Sequence, residues 1–243
     1  MADPVEVLRR ARSGGLVDER GREVRLDFAE PLTPAEIDEL RTQVEAPLPS
    51  ELTAVLADTR AIDGIEPIDF TGRTMDVEVG ELSRAGLPIA TDGAGNFWVL
   101  DLTPDDRETA PVFFLCHDPP VFAFQSPTLG DFLEEELFRS YAPPHRSLVR
   151  DVRETTVHEI WRTNPGVIGR DAALGADVEL SAFAATLEEE FDIVDLRAPE
   201  VGMGFAWGRY GPRTELRRHG YARLFACGRP EKKQGFFSRL RGG

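Results

Sequence analysis

The sequence is poor in the residues that build most metal and redox sites. It has two cysteines, Cys116 and Cys227, and four histidines among 243 residues. Both cysteines lie inside apolar runs and are too few for a disulfide framework, so we expect free thiols and a reducing, cytoplasmic environment. The histidines are scattered and lack the spacing of zinc ligands. We therefore predict that the protein holds no metal and needs no cofactor.

Long apolar segments and lysines are also missing. No apolar run approaches the roughly 18 residues of a membrane span, and the N-terminus lacks the apolar segment of a secretory signal. We expect no membrane-spanning segment. Of the 28 basic residues, only Lys232 and Lys233 are lysines. Such a bias is typical of a GC-rich bacterial genome.

Negative charge is unevenly spread along the chain, whose formal net charge is −15. Residues 1–140 hold 12 basic and 29 acidic side chains, a balance of −17. Residues 141–243 hold 16 basic and 14 acidic side chains, a balance of +2. An acidic body argues against direct nucleic-acid binding by the main domain and favours a basic protein partner.

The chain is organised around residues 87–138. Four apolar runs there predict an antiparallel meander, and the first two are separated by the turn sequence DGAGN at residues 92–96. Almost every position of the second run is apolar, so we expect a strand buried on both faces. A helix capped by Ser126 should follow. Its buried stripe should consist of residues at helical spacing, namely Leu129, Phe132, Leu133 and Leu137.

Several short motifs surround these strands in a fixed order. Upstream lie two helix openings, LTPAEI at residues 32–37 and LPSEL at residues 48–52. The motif DGAGN is followed by FWVLD, by a run ending in His-Asp at residues 117–118, and by SPTLGDFL at residues 126–133.

This order and spacing resemble those of the SUKH superfamily, which contains the Smi/Knr-type domain. The resemblance covers roughly residues 30–140. The family usually has Asn-Gly after its second helix, where this sequence has Asp63-Gly64. The resemblance implies an α+β fold with a mainly antiparallel sheet covered by helices.

We predict three parts along the chain. Residues 1–142 should form the SUKH-like domain, and residues 143–230 a C-terminal α/β extension. Residues 231–243 should form a basic flexible tail.

Capping and periodicity predict the elements of the N-terminal part. A short helix is expected over residues 4–12 and a hairpin over residues 16–28. Thr33 and Glu36 have the spacing of a capping box, so a second helix should begin there.

The C-terminal part has a clear helix signal as well. Asp177 is expected to cap a helix over residues 178–191, followed by a strand at residues 193–196. A twisted hairpin should join residues 204–210 to residues 221–227.

No catalytic constellation emerges from the motifs. Cys116 and His117 are a nucleophile and a base, but neighbours on a strand point to opposite faces, so the histidine cannot activate the thiol. The glycine-rich segment at residues 202–208 lacks the Lys-Ser/Thr of a P-loop. We therefore predict a binding protein rather than an enzyme.

The resemblance implies a bacterial immunity protein that binds and occludes a cognate toxin, often a nuclease in that family. A regulatory scaffold in cell-wall or stress signalling is the alternative, and an enzyme with its site in the C-terminal part is a third interpretation. Candidate partner-binding residues are side chains expected to be exposed beside the central turn, namely Asp92, Asn96, Trp98, Asp105, Asp106 and Asp118.

Overall fold

The structure, a computed structural model, describes residues 1–44, 46–64, 66–73 and 80–228. The helices are α1 (Pro4–Arg12), α2 (Pro34–Gln43), α3 (Ser50–Leu56), α4 (Leu129–Glu134), α5 (Leu148–Asp151), α6 (Val157–Thr163), α7 (Arg170–Leu174) and α8 (Val178–Ala185). The π-helical turn Glu135–Arg139 continues α4, and the π-helical turn Val152–Thr156 joins α5 to α6. The described residues also contain the 3-10 turns Gly80–Leu82 and Gly211–Arg213.

The strands form two sheets, and every strand pairing in the described ranges is antiparallel. They are β1 (Asp27–Phe28), β2 (Ala61–Asp63), β3 (Ile68–Asp69), β4 (Gly86–Thr91), β5 (Phe97–Asp101), β6 (Val112–His117), β7 (Pro120–Ser126), β8 (Val167–Ile168), β9 (Phe191–Asp195), β10 (Gly204–Phe205), β11 (Glu215–Arg218) and β12 (Leu224–Gly228). The main sheet has the order β1-β2-β3-β4-β5-β6-β7-β10, and the second sheet has the order β11-β12-β9-β8. The predicted meander is β4 to β7, and the α+β fold class is confirmed.

The main sheet is buried on both faces because its central strands are apolar at almost every position. One face, the helix-covered face, packs against helices and contains Trp98, Leu100, Phe114 and Cys116. The other, the sheet-covered face, packs against the second sheet and contains Val99, Phe113, Leu115, Phe122 and Phe124.

Residues beyond position 142 cover both faces. Val149, Val152 and Ile160 belong to the core of the helix-covered face. On the sheet-covered face, the ring of Phe225 lies 5.9 Å from that of Phe122 and 5.3 Å from that of Phe205. The division of the chain at residue 142 stays a prediction. Residues before and after that position both pack against the main sheet.

The N-terminal predictions are confirmed in part. The first helix spans residues 4–12 as predicted, and the capping box of Thr33 and Glu36 is present at the start of α2. The hairpin predicted over residues 16–28 is confirmed only around its turn. An antiparallel bridge joins Val17 and Glu23, and the Val24 backbone N–H donates to the Leu16 carbonyl oxygen at 2.9 Å. The end of the predicted hairpin is β1, which pairs with β2 instead.

The helix after β7 begins later than predicted. Ser126 is the last residue of β7, and its hydroxyl donates to the carbonyl oxygen of Thr128 at 3.1 Å. Thr128 is the N-cap, because its side-chain oxygen accepts the Asp131 backbone N–H at 3.0 Å. The predicted apolar stripe of this helix is buried.

Two C-terminal predictions are corrected. The Asp177 cap is confirmed, but α8 ends at Ala185, because Phe191 already pairs with Gly228 at the start of β9. The predicted hairpin of residues 204–210 with residues 221–227 is wrong. Residues 204–205 form β10, which pairs with β7, whereas β12 pairs with β9 and β11. The predicted tail at residues 231–243 lies outside the described residues.

Glycine is required where β10 joins the main sheet. A Cβ atom at Gly204 would collide with the carbonyl oxygen of Phe122. This close approach places Phe205 between the two sheets.

Candidate functional site

The DGAGN segment is a self-contained turn. One Asp92 carboxylate oxygen accepts the backbone N–H groups of Ala94 and Asn96, and the other accepts the Asn96 side-chain amide at 2.7 Å. Gly93 and Gly95 have φ values of 72° and 89°, which glycine adopts most readily. Asn96 then links this turn to the next one, because its side-chain amide oxygen accepts the His117 backbone N–H at 3.0 Å. The polar groups of Asp92 and Asn96 therefore hold the turn.

The six predicted contact residues do not form one patch. Asp92, Asn96 and Asp118 lie at one end of the main sheet, hereafter the turn end. Asp105 and Asp106 lie in the loop between β5 and β6 at the opposite end. The five residues of β5 separate the two groups by roughly 17 Å.

Exposure divides the candidates further. Trp98 is 1% exposed and packs in the helix-covered face, where its ring lies 4.8 Å from that of Phe114, so it cannot reach a partner. Asn96 is buried as well. Asp106 is half-buried and binds Arg223 at 2.7 Å, which gives it a structural role. Of the six, only Asp105 and Asp118 are exposed.

Cys116 and His117 lie as the strand geometry predicts. Cys116 is buried, and burial raises the pKa of its thiol. His117 is exposed, and its Nδ1 lies 2.9 Å from the side-chain oxygen of Asn96. The two side chains therefore do not form a nucleophile–base pair.

A buried ion network joins the loop after β5 to the second sheet. We call Asp101, Asp106, Arg218 and Arg223 the Asp101 cluster. Arg218 binds both carboxylate oxygens of Asp101, at 2.7 and 3.0 Å, and Arg223 binds Asp101 at 2.8 Å. The side chains of Asp101 and Arg218 are both 0% exposed.

The remaining polar groups of this cluster are satisfied too. Arg218 also donates to the backbone carbonyl oxygens of Leu82, Tyr221 and Ala222. The Ser83 hydroxyl donates to Asp101. Two carboxylates face two guanidinium groups, so the cluster is balanced in charge, and a buried pair of this kind is stable only with such complete bonding.

A second acidic cluster opens onto a cavity of about 350 Å³, hereafter the Glu136 cavity. It lies between residues 18–22, the loop before β3, and the two π-helical turns. Its walls are formed by mostly charged side chains, namely Asp18, Glu19, Arg20, Arg22, Glu66, Glu136, Ser140, Tyr141, Val149, Arg150 and Arg153.

The inner groups of this cavity are incompletely paired. Glu66 forms an ion pair with Arg153 through one oxygen, but its other oxygen is buried and has no hydrogen-bond partner among the described residues. Glu136 is 6% exposed, and within the described ranges its carboxylate receives no hydrogen bond. The hydroxyl of Tyr141 likewise has no hydrogen bond to the described residues.

The electrostatics follow from this arrangement. Burial, and next the nearby charge of Glu66, raise the pKa of Glu136 to about 7. Burial also raises the pKa of Glu66, and the negative charge of Asp92 adds to that effect. Burial beside Glu136 raises the pKa of Tyr141. The cavity therefore holds a carboxyl group that ionises near neutral pH.

Sequence reasoning missed this cavity. Glu136 belongs to the run Glu134-Glu135-Glu136, which is typical of a solvated helix face. Its position four residues after Phe132 nevertheless places it on the buried side, and that spacing was the available signal. Nothing in the sequence pointed to Arg153 as a neighbour of Glu66, 87 residues away.

The described parts of the chain contain no group of three or more His, Cys, Asp or Glu side chains placed to hold a metal ion. None of their helices has both the length and the apolar character to cross a bilayer.

The model of the SMI1 / KNR4 family (SUKH-1) matches residues 31–135. No curated protein and no solved structure matches the chain. The matched segment contains α2, α3, strands β2 to β7 and α4, so it holds Asp101 and Glu66 but not their arginine partners. Residues 31–135 of this chain therefore form a domain of the SMI1 / KNR4 family, within the SUKH superfamily.

Proposed function

We propose that this protein is a non-enzymatic binding module, an immunity protein that binds and neutralises a cognate toxin. Membership of the SUKH superfamily supports protein–protein interaction. The observation that carries the proposal is the charge of the chain, with a balance of −17 over residues 1–140. A surface with this excess attracts a basic partner and speeds its encounter.

A nuclease toxin is the class of partner that this charge fits. A surface that grips phosphates must be cationic, so an acidic inhibitor can cover it and displace the nucleic acid. The association should weaken with salt, because exposed charges are screened beyond about 8 Å at physiological ionic strength.

The turn end of the main sheet is the docking face that the charge distribution favours. Asp118 is exposed there, and Asp92 and Glu66 lie close enough for the Asp92 charge to act on the Glu66 carboxyl. At the opposite end, Arg223 neutralises Asp106, which leaves less negative charge to attract a cation.

Occlusion needs no chemistry from the immunity protein itself. The buried Cys116 thiol and the separately oriented His117 support this interpretation. We expect a folded His117→Ala variant to neutralise the toxin as the wild type does. Loss of neutralisation in that folded variant would favour the enzyme interpretation instead.

The test begins with capture of the partner by the full chain and measures association rates at low and high salt. Asp118→Arg and Asp105→Arg form a matched pair, since both side chains are exposed and lie at opposite ends of the sheet. We expect Asp118→Arg to slow association about two- to fivefold, as removal of a surface charge pair does, and Asp105→Arg to leave it unchanged. A partner with an acidic contact face would contradict the proposal.

A regulatory scaffold in cell-wall or stress signalling is the second candidate, because the matched family is the one named for SMI1 and KNR4. A toxin gene beside the gene for this chain would favour immunity. Capture of signalling proteins and of no toxin would favour the scaffold.

A further inference from the structure

We propose that the Glu136 cavity binds a guanidinium or ammonium group, which enters as the side chain of a protein partner or as a small free cation. This site goes beyond toxin binding and does not depend on it. The proposal rests on the unpaired acceptors of the cavity, its charge, its walls and its ionisation.

The first argument is the set of unsatisfied acceptors. The second oxygen of Glu66 is buried without a hydrogen bond from the described residues. The Glu136 carboxylate and the Tyr141 hydroxyl line the same cavity, and neither is hydrogen-bonded to a described residue. A buried acceptor left without a donor is unfavourable by about 1–3 kcal/mol, more if it is charged. A guanidinium offers five N–H donors and an ammonium three, so either cation can donate to all three of these groups.

The second argument is charge. At the mouth, Arg22 pairs with Asp18, and Arg150 pairs with Glu19. Deeper in, Arg153 pairs with Glu66.

Among the described residues, Glu136 is the lining carboxylate that forms no ion pair, and a buried carboxylate without a cation is unfavourable. Arg20 forms no ion pair with the described residues either, but it is exposed at the mouth, where water solvates it. A metal ion is a poor occupant, because the described residues bring no three metal-ligating side chains together.

The third argument is the shape of the walls. Tyr141 and Val149 add aromatic and aliphatic surface to the cavity. Such surface suits the methylene stem of an arginine, a lysine or an alkylguanidine, whose charged head then reaches the carboxylates. A bare inorganic cation would leave this surface without a contact.

Binding by this site should depend on pH. Glu136 is faced by Glu66 and Arg153, which act on it in opposite directions, and it ionises at about pH 7. Tyr141 lies beside it, and the mouth adds the paired groups described above together with Arg20. A cation is held by the ionised carboxylate, so we expect binding to be strong above neutral pH and weak below it.

The experiment uses the full chain and agmatine, an alkylguanidinium, as the probe in isothermal titration calorimetry. We expect binding at pH 8 that weakens about tenfold by pH 6, as the ionised fraction of Glu136 falls. At pH 7 binding should release protons from Glu136, which calorimetry in buffers of different ionisation enthalpy detects. Absence of binding at pH 8, or binding without pH dependence, would overturn the proposal.

Three variants sharpen the test. Glu136→Gln should abolish agmatine binding and proton release. Glu108→Gln, an exposed residue of the loop between β5 and β6 that does not line the cavity, should leave both within about twofold. Tyr141→Phe should weaken binding and keep the proton release, and it carries the test if Glu136→Gln fails to fold. Wild-type affinity in Glu136→Gln would overturn the proposal.

The source of the cation is decided by competition. If agmatine displaces the captured protein partner, the natural occupant is a basic side chain of that partner. If the partner stays bound while agmatine enters, the occupant is a small free cation. Because the agmatine measurement requires no partner, its failure is distinguishable from failure of the immunity proposal.

Discussion

Two buried acidic clusters join the SUKH domain to the residues that follow it, and they differ in one respect. In the Asp101 cluster, two carboxylates meet two guanidinium groups, and the backbone takes up further donors of Arg218. In the Glu136 cavity, Arg153 pairs with Glu66 but not with the buried Glu136, and one oxygen of Glu66 has no hydrogen bond from the described residues. The first cluster is complete as folded, and the second has room for a further cation.

This difference separates a structural use of buried charge from a binding use. A buried pair whose every donor and acceptor is satisfied fixes how two segments meet, and it offers nothing to a ligand. An unpaired buried carboxyl group instead has a shifted pKa, which is often found at functional sites. The completeness of bonding, rather than the amount of charge, distinguishes the two.

Removing everything after residue 142 would break both clusters and should have the largest effect. The fragment 1–142 loses Arg218, Arg223 and Arg153, together with the aromatic cover of the sheet-covered face. We expect this fragment to show a broad thermal transition by circular dichroism and strong binding of a hydrophobic dye. A fragment ending at residue 228 serves as the control and should keep the sharp transition of the full chain.

A sharp transition in the 1–142 fragment, at the temperature of the full chain, would contradict this expectation. It would show that the predicted boundary at residue 142 separates two units that fold independently.

Breaking the Asp101 cluster alone should have the second-largest effect on stability. Asp101→Ala leaves the fully buried guanidinium of Arg218 without its carboxylate, and such a loss lowers the free energy of unfolding by about 3–5 kcal/mol. Chemical denaturation measures it. Asp105→Ala, an exposed neighbour in the chain, should change the free energy by less than about 0.5 kcal/mol. A loss below about 1 kcal/mol for Asp101→Ala would mean that the cluster contributes little.

The Glu136 cavity should make the stability of the protein depend on pH. Glu136 has a pKa of about 7 in the folded chain, above its ordinary value of 4.5, so the native state keeps a proton that the unfolded chain releases. Stability then falls as pH rises from about 4.5 to about 7, and the fall is complete above that window.

Glu136→Gln should remove this component. Between pH 5 and pH 8, we expect the wild type to lose about 1–3 kcal/mol more of its free energy of unfolding than the variant loses. Urea denaturation at both pH values gives the comparison, and Glu19→Gln, exposed at the mouth, should behave as the wild type does. Equal losses in wild type and Glu136→Gln would show that Glu136 ionises normally.

Local sequence signals predicted the elements that depend on neighbouring residues. The helix over residues 4–12, the box of Thr33 and Glu36, and the cap at Asp177 are each decided within a few positions of the chain. The turn at residues 92–96 is another such case, because its glycines adopt positive φ and the side chains of Asp92 and Asn96 bond to each other within the turn. These predictions needed no knowledge of the rest of the fold.

Predictions that depended on distant partners were less successful. The pairing expected for residues 204–210 failed because β10 pairs with β7, about 80 residues earlier in the chain, which places Phe205 between the two sheets beside Phe122. Trp98 was expected to contact a partner, but helices cover the face of β5 on which it lies. Residues on both faces of β5 are apolar, so the strand sequence alone does not tell which of them another part of the chain covers.

The sequence by itself determined the family domain, the meander and most helix starts, because apolar periodicity and capping act over short stretches of chain. It also determined the acidic charge on which the proposed partner depends. Only the tertiary structure decided which buried charges would meet. Asp101 and Arg218 are separated by 117 residues, and Glu66 and Arg153 by 87. Whether a buried carboxylate becomes a structural tie or a binding site depends on the partners that folding brings to it, and sequence spacing carries no record of them.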